Sequence, residues 1–313
     1  MPDVTVIILT YNEQLHLRRA IESVRAFAAH VLVVDSFSTD DTAAIAAACG
    51  ATLVAHPFVN QAAQFNWALD HCGVETAWVL RLDADEWVTP ELADEIADRL
   101  DDLPGDVSAV RCPRRMHFMG RWMRFGGVGQ RRMLRLFRTG RGRCEPRWMD
   151  EHIVMDGGRC VDFSGAFVDE NLNSLTWWTD KHNRYASREA LERLLAQRPG
   201  GGDTETNRSL AGQARRVRWV KKHLYYRSPP ILRALVLYVV RYVFLFGFLD
   251  GKPGLIFHFL QGCWYRALVD AKVFSVQRSI NRGGLSFEEA VQSHLQIDLA
   301  AVEDTGGSDE MDG

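Results

Sequence analysis

The first hundred residues alternate short apolar runs with stretches of helical spacing, and this alternation limits the fold more than any other feature. Val4-Thr5-Val6-Ile7-Ile8-Leu9 is short, β-branched and apolar, the pattern of a strand buried on both faces. Leu17, Ala20, Ile21, Val24 and Phe27 then recur at helical spacing, with Asn12 placed ahead of them as a cap. Val31-Leu32-Val33-Val34 reads as a second buried strand. Asp40-Asp41-Thr42 opens a second helix, which Gly50 ends. A third strand is expected at Thr52-Leu53-Val54, a third helix from Asn60 to His71 and a fourth strand from Trp78 to Leu82. Pro90 sits in the first turn of a helix reaching about Leu100. Strands and helices in this order imply an α/β fold, a mostly parallel sheet with flanking helices on both faces. Ligands of such sheets bind beyond the carboxyl ends of the strands, so chemistry is expected just after Leu9, Val34 and Leu82.

Three polar segments fall at those ends: Thr10-Tyr11-Asn12-Glu13, Asp35-Ser36-Phe37-Ser38-Thr39-Asp40-Asp41-Thr42, and Asp83-Ala84-Asp85-Glu86. Taken singly, each has an ordinary explanation as a helix cap, a loop carboxylate or a solvated turn. Together they converge on one crevice. Asp83 and Asp85 lie two residues apart on an extended segment, so both can project the same way. Paired carboxylate oxygens suit Mg²⁺ or Mn²⁺, which takes one or two carboxylates plus substrate phosphates. Uncompensated carboxylates repel each other, and a bound cation relieves that repulsion. Such a cation acts as a Lewis acid on a diphosphate leaving group.

Composition closes off several other classes. Apolar content of 47% and charged content of 25% allow an ordinary core, and a formal net charge of -3 argues against a nucleic-acid partner. Six scattered cysteines show no Cys-x-x-Cys spacing, which fits a reducing compartment without a zinc site. The N-terminus enters a strand almost at once, so no secretory signal is expected.

After Ala109 the pattern changes to short strand-like pieces, Met133 to Phe137 and Ile153 to Met155, among Gly, Arg and Trp. This reads as an acceptor-side extension of the first domain, which then covers 1–198 and ends with a helix from Trp177 to Ala196. Arg131, Arg132, Arg135 and Arg138 are candidates for phosphate contacts or a solvated basic face. Trp122, beside Gly120, Gly126 and Gly127, is the preferred sugar-stacking candidate, on a loop expected to be mobile. Pro199-Gly200-Gly201-Gly202 is a break. A helical portion spans 206–300, and an acidic tail, 301–313, is expected to be disordered.

In that helical portion Ile231 to Leu249 and Leu255 to Val276 are densely apolar, yet Arg233, Arg241, His258, Arg266 and Asp270 interrupt them. Charges inside a spanning helix cost about 2.5–3.5 kcal/mol each. Helices lying in a membrane interface are therefore expected, with Arg215, Arg216, Arg218, Lys221, Lys222 and Arg227 meeting anionic lipids. Asp250-Gly251-Lys252-Pro253-Gly254 is read as the turn of the hairpin. A buried helical core or a dimer interface is the competing reading of the same residues.

Val6–Glu13, Val33-Val34-Asp35-Ser36 with Thr39–Thr42, Asn66-Trp67-Ala68-Leu69 and Leu80–Glu86 together resemble glycosyltransferase family 2, of the GT-A fold. Met149-Asp150-Glu151-His152 and Lys181–Ala186 add weaker matches. Within the family the chain is most similar to the lipopolysaccharide core β-1,4-glucosyltransferase branch. The resemblance implies an inverting, metal-dependent transfer of a hexose, glucose first, from a UDP-sugar to a lipid-linked glycan or lipopolysaccharide-core acceptor. It implies that Thr10, Tyr11, Glu13, Asp35, Asn66 and Asp83 bind the donor, and that Asp85 with Asp83 holds Mg²⁺ or Mn²⁺. Many relatives carry two acidic residues where this chain has Asp35-Ser36, which leaves Asp35 alone in that role. Glu151 and Asp150 match the later acidic motif that supplies the general base, with Glu151 preferred. The implied location is cytoplasmic, peripheral on the inner face of the cytoplasmic membrane. Two alternatives share the same sheet: a sugar-phosphate nucleotidyltransferase, which uses a Gly-rich loop where this chain has Thr10-Tyr11-Asn12-Glu13, and a non-catalytic nucleotide-sugar-binding protein.

Overall fold

The computed structural model describes residues 2–129, 131–145, 152–198, 229 and 231–299. They form two compact units: one from residues up to Arg124 together with Val128–Leu172, the other from Phe125–Gly127 and the chain from Asn173 on. The second unit thus includes the helix Leu175–Ala196, which the sequence reading placed in the first domain. The break at 199–202, the basic residues from Arg215 to Arg227 and the tail at 301–313 lie outside the described residues.

The first unit runs β1 (Val4–Thr10), α1 (Leu17–Val24), β2 (His30–Asp35), α2 (Thr42–Ala48), β3 (Thr52–Ala55), α3 (Gln61–His71), β4 (Trp78–Asp83), β5 (Glu86–Val88) and α4 (Pro90–Arg99). It continues through β6 (Val107–Phe118), β7 (Arg121–Trp122), β8 (Arg131–Arg138), β9 (Gly142–Cys144), β10 (Ile153–Met155), β11 (Arg159–Asp162) and β12 (Phe167–Glu170). The main sheet has the order β3-β2-β1-β4-β8-β6-β12-β5, with β7 and β11 also paired to β6, while β9 and β10 form a separate pair. The strands β3, β2, β1 and β4 are parallel to one another, as expected of strand–helix alternation. Beyond β4 the sheet is mixed, with β8 antiparallel to both β4 and β6.

Side chains of alternating parity on β1 enter different cores. Val4, Val6 and Ile8 pack with Leu17, Ala20 and Ile21 of α1 and Leu92 and Ile96 of α4. Ile7 packs with Leu32, Val34, Val79 and, from α3, Ala62, Phe65 and Ala68. Helices therefore cover both faces, which is why the middle of β1, Val6-Ile7-Ile8-Leu9, is apolar on both faces. Asn60 and Thr89 cap α3 and α4 by accepting from the backbone N–H three residues on.

The long β6 escaped the sequence pattern because Pro113 lies inside it. Pro113 falls between the stretch paired with β11, which ends at Arg111, and the stretch paired with β12, which begins at Arg114. A residue without an N–H is tolerated where the partner on that side changes. Asn12 does not cap α1, whose N-cap is His16. Gly165 presses on α4, since a Cβ there would lie 2.4 Å from Leu92 Cα.

In the second unit, Ala186, Ala190 and Leu194 of α5 (Leu175–Ala196) pack on Tyr265, Val269 and Val276 of the helix Tyr265–Gly283. Ala290, Val291 and Leu295 of the helix Phe287–Leu295 complete that core. The expected hairpin turn is not where the sequence placed it. Gly251-Lys252-Pro253-Gly254 starts the helix Gly251–His258, and the bend falls at Phe246, a left-handed residue at φ 60°. Pro253 is compatible with a first helical turn, where N–H groups have no intrahelical acceptor. The loop expected to be mobile is held. Phe125 N–H donates to Asp250 Oδ2 (3.0 Å), Gly126 N–H to Leu245 O (2.8 Å), and Arg241 Nε–H to Gly126 O (2.9 Å).

Gly165→Ala is expected to destabilise the protein by about 1–3 kcal/mol or more, because backbone atoms of α4 cannot yield as a side chain would. Urea unfolding checks this, and an unchanged midpoint would contradict the close packing.

Candidate active site at the carboxyl ends of the parallel strands

The register of β1 sets the site. Thr10 lies opposite Asp35 on β2, and Leu9 lies opposite Asp83 on β4. The strand order reverses direction at β1, with β2 on one side and β4 on the other, and that switch point is where open α/β sheets bind ligands.

Asp35 is buried and held by three donors. Thr10 Oγ1 donates to Oδ1 at 2.9 Å, Ser38 Oγ to Oδ1 at 2.5 Å and Ser38 N–H to Oδ2 at 2.7 Å. The two loops are then stitched together. Asn12 N–H donates to Ser38 Oγ (2.8 Å), and Asn12 Oδ1 accepts from Thr39 N–H (2.9 Å). Glu13 N–H donates to Thr42 Oγ1 (2.8 Å), and Gln14 N–H to Asp40 Oδ2 (3.1 Å). Asp40 Oδ1 accepts from Thr42 N–H at 3.0 Å, at the start of α2. Asn12 and Phe37 both take positive φ, 56° and 59°. This geometry leaves Tyr11 and Phe37 60% and 58% exposed, so both are available to stack on a planar ligand.

Asp83 is not an uncompensated carboxylate. Arg135 Nη2 lies 2.9 Å from Asp83 Oδ2 and 2.7 Å from Glu86 Oε1, and Arg81 approaches Asp83 Oδ1 at 3.5 Å. Burial alone would raise the Asp83 carboxyl pKa, but the Arg135 and Arg81 charges overcome it and hold it well below the usual range. Glu86 goes the other way. Burial pushes it up, Arg135 opposes, and the Asp83 and Asp169 charges add to the rise. Glu86 Oε2 accepts the Asp83 N–H at 3.0 Å, which fixes the turn after β4. The repulsion between the paired aspartates inferred from sequence is therefore met, at Asp83, by guanidinium groups.

Asp85 faces a different set. Its Oδ2 accepts from Asn171 Nδ2 at 3.2 Å. The backbone N–H of Leu172, next in the chain, donates to His16 Nε2 at 2.8 Å. A backbone N–H only donates, so Nε2 is unprotonated and Nδ1 carries the proton. Nδ1 then donates to Glu13 Oε2 at 2.6 Å. One segment after β12 thus orients both Asp85 and Glu13. Asp169 is pushed up, by burial first and then by the Asp85 charge, against the opposing pull of Arg114.

The structure brings together Thr10, Asp35, Asp83 and Glu13 with their supports, and leaves Tyr11 exposed nearby in the chain. Asn66 is spent elsewhere: its Nδ2 donates to Cys144 O and its Oδ1 accepts from Cys144 N–H, both at 2.9 Å, so it anchors β9. Asp150 and Glu151 lie outside the described residues. Of the basic candidates, Arg135 belongs to the acidic cluster. Arg132 donates to Phe163 O, and Arg138 donates to Val107 O while lying over the Trp78 ring. The Trp122 ring, the candidate sugar platform, lies under the guanidinium carbons of Arg115 and Arg124 at 4.8 and 4.3 Å. Sequence reasoning missed His16, Asn171 and Asp169, since none stands in a short motif.

The donor chemistry fits a hard divalent cation at Asp85 better than at Asp83, because the Asp83 oxygens already face arginines. Among the described residues no three His, Cys, Asp or Glu side chains gather as a metal cage.

A fixed aspartate, two exposed aromatic residues and an Asp-x-Asp pair at the switch point of a half-parallel sheet form the candidate site of an α/β protein. Residues 5–164, just over half of the chain, match Glycosyl transferase family 2, and the chain belongs to that family. The lipopolysaccharide core biosynthesis glycosyltransferase LpsC of Rhizobium meliloti (strain 1021) is 30% identical over 200 residues, 60% of this chain and 70% of that protein. An uncharacterized glycosyltransferase of Rickettsia felis is 42% identical over 96 residues, 31% of this chain and 33% of that one. The chain thus spans about a third of the length of the Rickettsia relatives it matches. The mannosyltransferase PcManGT of Pyrobaculum calidifontis, solved with GDP-Man and Mn²⁺, is 18% identical over 87% of each chain with a TM-score of 0.47.

Arg135→Met is expected to cost about 3–5 kcal/mol of stability, because it strands the Asp83 charge. Adding Asp83→Asn should return part of the loss in a double-mutant cycle by urea unfolding. A double variant no more stable than Arg135→Met would assign the loss to packing instead.

Proposed function

We propose that this glycosyltransferase is an inverting enzyme that moves a hexose, glucose first, from a UDP-sugar to a lipid-linked glycan or lipopolysaccharide-core acceptor. The observation that carries the reading is the gathering of Thr10, Asp35, Asp83 and the Asp85 segment at the ends of β1, β2 and β4. The LpsC likeness supports the class of acceptor.

A carboxylate has about four lone-pair sites. Asp35 uses three, so one remains on Oδ2 for a donor on the ligand, such as the uracil N3–H or a ribose hydroxyl. Tyr11 or Phe37 stacks on the base. Asp83, held ionised by Arg135, accepts from a ribose hydroxyl. Asp85 would hold Mg²⁺ or Mn²⁺, and the ion would supply Lewis-acid stabilisation of the leaving diphosphate. Glu151, or its neighbour Asp150, takes the proton of the acceptor hydroxyl as that oxygen bonds to the anomeric carbon. The bond from that carbon to the diphosphate oxygen breaks with its electron pair leaving on UDP, and the configuration inverts.

A panel of nucleotide sugars with Mg²⁺ or Mn²⁺, read as nucleotide release, tests the donor and metal together. UDP-glucose should be turned over, chelation should abolish turnover, and Asp85→Ala should lower it by at least about a hundredfold. Pyrophosphate release from a nucleoside triphosphate and a sugar phosphate would instead establish the nucleotidyltransferase reading.

Glu151→Gln should abolish transfer while nucleotide binding, measured by calorimetry, persists. Full activity in that variant would remove Glu151 from the mechanism and leave Asp150 to be tested in the same way.

A further inference from the structure

The helical arm Leu232–Phe244 reverses the usual arrangement of a globular protein. Leu232, Leu235, Val236, Val239, Val240 and Val243 recur at i, i+3, i+4, i+7, i+8 and i+11, and all are exposed. A surface helix ordinarily buries such a stripe and shows solvent its polar face. Here the buried side holds the polar groups. Arg233 is ion-paired to the buried Asp270. Arg241 donates to Gly126 O. In the arm that follows, Arg266 is paired with Glu189 at 2.9 Å, and His258 is fully buried. The charges that interrupt the apolar sequence are thus turned inward, and the outward stripe carries none. Phe244, Phe246 and Phe248 extend the exposed apolar surface around the bend.

Such a charge-free apolar surface fits a hydrocarbon boundary. The geometry also says how it meets one. The arms Leu232–Phe244 and Gly247–Gly283 are long and apolar enough to cross a membrane only when taken together, but they meet at 73°, and no single helix among the described residues is long and apolar enough to do so. At about 1.5 Å per residue the first arm rises about 20 Å, short of the ~30 Å hydrocarbon core. The chain immediately before it, residues 215–227, carries six Lys and Arg and no acid, the complement of an anionic headgroup layer.

We propose that the exposed stripe from Leu232 to Val243, with the phenylalanines at the bend, lies in the plane of an anionic lipid bilayer and anchors the protein there without spanning it. The proposal gives the lipid-linked acceptor of the reading above a place to be met, but its test does not depend on that reading.

The experiment is flotation of the full chain with vesicles of equal parts phosphatidylcholine and phosphatidylglycerol, for the wild type and Leu235→Glu/Val239→Glu. Both positions are exposed, and a circular dichroism melt confirms folding. The wild type should float with the vesicles, and the double variant should partition at least about tenfold less. A wild type that stays in the aqueous fraction, or a variant that floats equally well, overturns the proposal. A wild type that ignores vesicles and sediments as a dimer broken by the same substitutions assigns the face to a second copy of the chain. Nucleotide release without vesicles, read in parallel, reports on the catalytic reading alone.

Discussion

Everything at the candidate site depends on the parallel pairing of β1 with both β2 and β4. Parallel register brings three chain segments to the same level at one edge of the sheet, although they are far apart in sequence. A slip of one residue on either side would turn Asp35 or Asp83 to the opposite face. The two cores make that slip costly, since Ile7 and Ile8 enter different ones and would have to exchange them. Apolar packing well away from the chemistry therefore sets the position of the carboxylates.

The second constraint is the handling of charge. Four carboxyl groups, Asp83, Asp85, Glu86 and Asp169, occur along two neighbouring stretches of chain, and they do not share one environment. Arg135 keeps Asp83 ionised, whereas burial and neighbouring charge favour the protonated forms of Glu86 and Asp169. The cluster avoids mutual repulsion by dividing its members between two protonation tendencies. The Asp-x-Asp motif contains two unlike residues: one is anchored by arginines, and the other takes a single amide donor from Asn171.

The parallel half of the sheet was legible from residue order, because β-branched runs and helical spacing alternate cleanly there. The mixed half was not. Its strands β5, β7 and β11 run only two to four residues, and Pro113 breaks the pattern of β6. At the site, Thr10, Asp35 and Asp83 announce themselves by following predicted strands. His16 and Asn171 do not, because they act through contacts between segments 156 and 86 residues apart in sequence. Asn66, expected from the motif to bind the donor, has an amide that hydrogen-bonds the backbone of Cys144 in β9. In the second unit the apolar composition was plain, but only side-chain direction shows that Arg233 and Arg241 point away from the exposed stripe.

The stitching between Asn12, Ser38 and Thr39 has a consequence for binding. Two non-glycine residues, Asn12 and Phe37, are already held in left-handed conformations that cost free energy in a loose chain. Hydrogen bonds among the loops meet that cost during folding, before any ligand arrives. A nucleotide reaching these loops would find them ordered, and little of its binding free energy would go into freezing backbone torsions. With the loops ordered in advance, selectivity among any nucleotides bound there would come from fit to a fixed shape.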